Sequence, residues 1–209
     1  MFQASGKSPA IRTPASRPAP IPLLAPRMAP RRDGTSIPTL ERFRELVEKS
    51  SAREELIVER RAPYSRRELA ELERRLGFTR DGHGQMRGLL SGPWRRVPGL
   101  VGARVAAGED VAREFAESRL AGDNPPDAYR HANLAIRLSR ASDPAHARRI
   151  LDGHERDRAG KETSRAMDLI NNHNGMVLSR LFPNIRPDVL ARLALDAGYL
   201  VRRPPEIAD

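Results

Sequence analysis

The scarcity of aromatic side chains constrains this chain most: its 209 residues include five Phe, three Tyr and one Trp. A core must then be built from Leu, Ile, Val and Ala, which favours packed helices over a sandwich of short strands. The chain has no cysteine, so disulfides, thiolate nucleophiles and Cys-ligated zinc are excluded. No apolar run approaches the roughly 18 residues that span a bilayer. The stretch Ile21-Pro22-Leu23-Leu24-Ala25-Pro26 is too short and too broken by proline to serve as a secretory h-region.

Proline is unevenly spread: eight of the eighteen prolines fall in residues 1–38, together with six basic residues and no acid before Asp33. Such a segment cannot bury enough apolar surface to offset its ordering entropy, and it is expected to be disordered. Rich in Ser, Pro and Arg, it resembles the unfolded export signals of bacterial injected effectors. That implies a protein made in a bacterial cytoplasm, then secreted or injected without a Sec signal peptide. A flexible tail with no address is the other reading.

The net charge of +10 is carried by arginine, with Lys only at positions 7, 49 and 161. An excess of this size attracts nucleic acid or anionic surfaces. Acids are interleaved with the arginines throughout, however, and few aromatics are available for base stacking.

Residues 39–108 read as a helical region ending in a Gly-rich linker. Thr39 caps a helix over Leu40–Lys49 with Leu40, Phe43, Leu46 and Val47 on one face. Ser65-Arg66-Arg67-Glu68 is a capping box opening a helix with Leu69, Leu72 and Leu76 in line and Gly77 at its end. The stretch 80–108 holds seven glycines and two prolines and reads as a linker or mobile loop. A helix is expected over Glu109–Leu120, with Val111, Phe115 and Ala112 or Ala116 inward. The whole is expected to be all-α, a small orthogonal bundle whose polar site lies in residues 109–209.

That site is read from three helices. The first opens at Pro126, and Tyr129, Ala132, Leu134, Ala135, Ile136 and Leu138 leave a polar stripe of Arg130, Asn133, Arg137 and Arg140. His131 lies off the stripe, on the inward side, with Asp127 one turn before it. An Asp–His pair at i and i+4 can fix the imidazole tautomer and raise its basicity. The competing reading is a core histidine satisfied by a capping aspartate. Asp143-Pro144 opens the second helix, where His154 falls between Ile150 and Leu151, flanked by Asp152 and Glu155; His146 and Asp157 look outward. The third runs over Glu162–Leu181, with Met167, Ile170, Val177, Leu178 and Leu181 in its core face. Beside them lies a separate stripe of Asp168, Asn171, Asn172 and Gly175. Two asparagines in a row cost helix propensity for no local gain, and a glycine one turn later admits a close neighbour. His173 and Asn174 read as solvent-facing. A last short helix over Val189–Ala197, ended by Gly198, and an extended Tyr199-Leu200-Val201 add packing.

Asp127-Ala128-Tyr129-Arg130-His131-Ala132, then Asp152-Gly153-His154-Glu155, then Met167-Asp168-Leu169-Ile170-Asn171-Asn172-His173-Asn174-Gly175, and finally Gly198-Tyr199-Leu200-Val201, form a spaced pattern. It resembles an uncharacterised family of small bacterial helical domains, often found at the C-terminal end of secreted or polymorphic-toxin proteins. The resemblance covers roughly residues 120–202. That family commonly carries an aromatic after its Arg-His, where this chain has Asn133-Leu134, and a His where this chain has Ile170. The resemblance implies an exported, effector-like protein with a cognate immunity protein or chaperone as partner, and it points to the same polar residues.

Two functions follow. In the first the chain is a hydrolase. His131, oriented by Asp127, acts as base on water, and Arg130, Asn171 or Asn172 steadies the developing anion. A metal version uses His131, His154 and Asp168 with Asp152 or Glu155, a donor set able to hold Zn, Mn or Fe. The order His131, His154-Glu155, Asp168 is similar to that of metal phosphohydrolases of the His-Asp type, with His-Glu in place of His-Asp. The arginines suit a phosphate-bearing substrate. In the second the chain is a non-enzymatic basic module that binds nucleic acid or an anionic surface, with affinity falling steeply in salt.

Overall fold

The computed structural model describes residues 37–78, 98–115, 123–157 and 161–208. Residues 1–36 of the segment expected to be disordered, residues 79–97 of the glycine-rich stretch and the end of the helix expected to reach Leu120 lie outside the described residues. The architecture is all-α, as the aromatic-poor composition implies. Helices run over α1 Leu40–Glu48, α2 Ala52–Glu55, α3 Arg66–Arg75, α4 Pro98–Glu114, α5 Pro125–Ala141, α6 Pro144–Asp157, α7 Glu162–Leu181 and α8 Pro187–Ala197. No helix among the described residues is long and apolar enough to cross a membrane.

Local sequence sets most of these boundaries. The Thr39 hydroxyl accepts from Arg42 N at 3.2 Å. Ser65 and Glu68 form both halves of the capping box, at 3.2 and 2.8 Å. Asn124 Oδ1 accepts from Asp127 N, and Asp143 Oδ1 from His146 N. Each cap satisfies a donor that the first helical turn leaves unpaired. Gly77 and Gly198 end α3 and α8 at φ of 75° and 84°, a left-handed conformation that costs glycine nothing.

The stretch before Glu109 is not wholly linker, because α4 already begins at Pro98. Gly102 and Gly108 sit on its open side, where an added Cβ would meet nothing. Ala103, Ala107 and Val111 form its buried stripe, so packing on α5 outweighs the roughly 1 kcal/mol that each helical glycine forfeits. Val111 is inward as expected, while Ala112 is exposed.

Among the described residues the most extensive helix contact joins α5 to α7; α4, α6 and α8 also pack on α5, and α2 and α3 lie against α7. The main core gathers Phe43, Val47, Leu72, Ile136, Met167, Ile170, Val177, Leu178, Leu190 and Leu200. Burying one such side chain contributes about 1.5–3 kcal/mol. A second cluster of Ala135, Leu138, Ala147, Leu151 and Met176 closes the α5–α6 side. Three of the aromatics meet: Phe43 lies 4.9 Å from Phe182 and 6.1 Å from Tyr199 between ring centroids, and Phe115 lies 5.4 Å from Tyr129. The chain after α8 runs beside the segment before α3, where Tyr64 N donates to Glu206 O and Ala208 N to Tyr64 O.

Candidate functional site

The site begins at the first turn of α5. Asn124 caps the helix and Pro125 occupies a position whose N–H would have no partner. Asp127 therefore lies in a fixed first turn, and His131 follows one turn later on the same inward side. Both are buried. From α7, Asp168 and Asn172, also one turn apart, face them, and α6 contributes Glu155; all three are buried too. The register of the two long helices is set by Gly175. A Cβ there would lie 2.6 Å from the carbonyl oxygen of Ala132, so only glycine brings α7 close enough to put Asn172 against His131.

The imidazole is held at both nitrogens. His131 Nδ1 lies 3.2 Å from Asn172 Oδ1 and 3.5 Å from Glu155 Oε1. An amide oxygen can only accept, so Nδ1 donates to it, and whenever the ring is neutral the lone pair then sits on Nε2. Asn172 Nδ2 in turn donates to Glu155 Oε1 at 3.4 Å. On the other edge, His131 Nε2 lies 3.3 Å from Asp168 Oδ1 and 3.8 Å from Asp127 Oδ1. Arg130 Nη2 donates to Asp127 Oδ1 and approaches His131 Nε2 at 3.3 Å. Asp127 thus accepts from Arg130, three residues on, and stands at ion-pair range from the histidine it was expected to orient. Asn172 fixes the tautomer instead.

Asp127, Glu155 and Asp168 converge on the His131 imidazole, and the Arg130 guanidinium reaches the same space. Buried charge of this density is costly unless cations or hydrogen bonds compensate it. Asp127, His131 and Asp168 each offer a donor atom, and these atoms lie within 4.8 Å of one another. A divalent ion bound at about 2.0–2.2 Å holds neighbouring donors about 3–3.5 Å apart, near the His131–Asp168 spacing. Asn172 and Glu155 behind Nδ1 match the carboxylate-backed histidines of metal centres. The donor set fits a borderline cation such as Zn, Mn or Fe.

Other expected residues stand elsewhere. Asn171 exchanges two hydrogen bonds with the backbone of Val201, both at 2.9 Å. Its amide is committed to anchoring the C-terminal segment and does not reach the imidazole. Asp152 is buried on α6 one turn before Glu155. The His154 side chain lies outside the described residues. His146, read as outward, is buried. Asn174, read as solvent-facing, is fully buried and bonds Ile57 N and O and Tyr199 O. His173 is likewise engaged, with Glu55 O at 2.9 Å and Arg148 Nη2 at 3.1 Å. These two corrections share a cause: α7 is covered on the side facing α2 and the C-terminal segment as well as on the side facing α5.

The polar stripe of α5 is engaged with neighbouring elements, although Arg140 is exposed. Asn133 Nδ2 and Arg137 Nη2 both donate to Asp110 on α4, and Arg140 donates to Phe182 O and Ile185 O. Asp110 had drawn no attention in the sequence. Its spacing from the buried Ala103 and Ala107 was the available signal.

No curated protein and no solved structure matches the chain. The family model that matches is described as "Domain of unknown function (DUF6973)" and covers residues 91–195, a span holding Asp127, Arg130, His131, Glu155, Asp168 and Asn172. By that match the chain belongs to the DUF6973 family, an uncharacterised domain family.

Proposed function

We propose that the chain is a hydrolase centred on His131, in which Asp127, His131 and Asp168 hold a divalent cation and the substrate bears phosphate. The observation that carries the reading is the convergence of those three buried donors at metal-binding spacing, with Asn172 directing the His131 Nε2 lone pair among them. A cation held there would supply water acidified toward neutral pH and a Lewis acid for a phosphoryl oxygen. Arg130, at the outer edge of the cluster, is placed to meet the anion. The resemblance to domains of secreted and toxin-like proteins extends the proposal to an exported bacterial effector acting on a phosphoester in its target.

The basic-module alternative draws less support. Many described surface arginines are already paired: Arg42 with Glu45, Arg53 with Glu48, Arg60 with Glu68, Arg180 with Glu55, Arg192 with Glu114 and Arg203 with Glu59. Paired arginines offer less net field to a polyanion.

The test is elemental analysis of the purified chain, combined with Mn2+-dependent turnover of bis(p-nitrophenyl) phosphate and p-nitrophenyl phosphate. Wild type is expected to bind one equivalent of cation and to turn over one of these esters. His131→Ala and Asp168→Asn are expected to lose both properties while keeping wild-type helicity. Absence of cation binding in wild type, or unchanged turnover in the variants, refutes the assignment.

A further inference from the structure

Arg130 lies across the same atoms that would hold the cation. Its Nη2 donates to Asp127 Oδ1 and stands 3.3 Å from His131 Nε2. A divalent ion on His131 Nε2 excludes the guanidinium from that one lone pair, and two positive centres beside Asp127 Oδ1 repel each other. The arginine is also the open member of the group: its side chain is 34 % exposed, whereas those of Asp127 and His131 are 3 % exposed. Its Nε is buried without a hydrogen-bond partner, so the fork is only partly satisfied where it rests. Leaving that position costs Arg130 the bond to Asp127 and frees a set of donors suited to bidentate capture of phosphoryl oxygens.

We infer that Arg130 is the specificity-determining residue for a phosphoryl anion and that it couples anion binding to cation binding by exchange. At rest the guanidinium neutralises Asp127. When a divalent cation takes Asp127 and His131, Arg130 turns outward and offers its fork to the anion; an anion that draws Arg130 out first leaves the donors open to the cation. Each ligand therefore raises the affinity for the other by the same factor. Both the substrate class and the order-independent coupling rest on the cation site proposed above.

Mn2+ titration of the full chain, followed by electron paramagnetic resonance of the free ion with and without inorganic phosphate, tests this. In wild type, phosphate is expected to tighten Mn2+ binding about tenfold, within the range usual for coupled sites. Arg130→Ala and Arg130→Gln remove the competing cation. Both are expected to bind Mn2+ more tightly than wild type in the absence of phosphate and to show no further gain when phosphate is added. Arg130→Lys, a point charge without a fork, is expected to compete with Mn2+ yet give weaker coupling. Mn2+ binding that is indifferent to phosphate in wild type overturns the exchange while leaving the cation site standing. So does weaker Mn2+ binding in either neutral variant. Failure of every form to bind Mn2+ overturns the cation site and the exchange with it.

Discussion

Gly175 and Ala132 touch backbone to backbone: a Cβ on Gly175 would lie 2.6 Å from the Ala132 carbonyl oxygen and 3.0 Å from the Ala132 Cα. Neither atom can give way without moving a helix. Gly175→Ala is therefore expected to destabilise the fold by at least about 1–3 kcal/mol, the usual cost of overpacking. That corresponds to a melting temperature lowered by roughly 2–12 °C for a chain of this size. Because Ala132 adjoins His131 and Asn172 lies one turn before Gly175, the same substitution should also weaken Mn2+ binding. Thermal denaturation and metal titration of the one variant check both. An unchanged melting temperature would show that the helices can separate freely.

The Gly175 contact was legible as an anomaly before it was legible as a contact. Asn171, Asn172 and Gly175 offend helix propensity at one-turn spacing, which marks a place where tertiary demands override local ones. Spacing could not apportion those demands. Asn171 belongs to Val201 and Asn172 to His131, although they are sequence neighbours. Nor could it choose between Arg130 and His131 as the partner of Asp127, since both i+3 and i+4 are within reach on a helix. The caps at Thr39, Ser65, Asn124 and Asp143 and the stops at Gly77 and Gly198 were readable because their causes are local. The start of α4 was not: its glycines argue for a loop, and only the partner surface on α5 decides for a helix.

Asn174 separates packing from site chemistry. Its side chain serves Ile57 N at 3.1 Å, Ile57 O at 2.7 Å and Tyr199 O at 2.7 Å, tying α7 to the chain after α2 and to the segment after α8. Asn174→Ala orphans those groups, at about 1–3 kcal/mol for each one left buried and unpaired. It is expected to lower the urea midpoint markedly while leaving Mn2+ affinity within about twofold. Asn172→Ala also orphans buried groups and is expected to lower the urea midpoint, but in addition to lower Mn2+ affinity about 10–100-fold, as for other groups that orient a ligating histidine. Identical behaviour of the two variants would remove the distinction between them.

Cation binding should be visible as stability. A ligand that binds the folded chain alone, at a concentration 100 times its dissociation constant, adds about 2.7 kcal/mol, or roughly 5–11 °C in melting temperature at this size. Mn2+ added to chelator-treated protein is expected to produce a rise of that order. Mg2+, which holds its water more tightly and prefers all-oxygen sites, is expected to produce less. Asp168→Asn should abolish the rise. Scanning fluorimetry across a Mn2+ series is sufficient, and a flat series in wild type would contradict the site.

His173 gives the fold an acid-sensitive joint. Burial pushes its pKa below the ordinary 6.5, and Arg148 and Arg180 add to the depression while Glu55 opposes it. The neutral ring donates from Nε2 to Glu55 O and accepts at Nδ1 from Arg148 Nη2; Arg148 also donates to Leu76 O, and Arg180 to Glu55. Protonation would turn the accepting nitrogen into a donor facing a guanidinium. With the folded pKa depressed, the unfolded chain takes up the proton more readily, so stability rises with pH. The contribution is fully present above about 6.5 and is lost as pH falls below it, until the folded-state value is reached. Urea denaturation between pH 5 and 8 is expected to show this slope in wild type. His173→Gln, which can still donate to Glu55 and accept from Arg148, is expected to show a shallower slope over the same window. Equal slopes in the two proteins would place the acid sensitivity in another group.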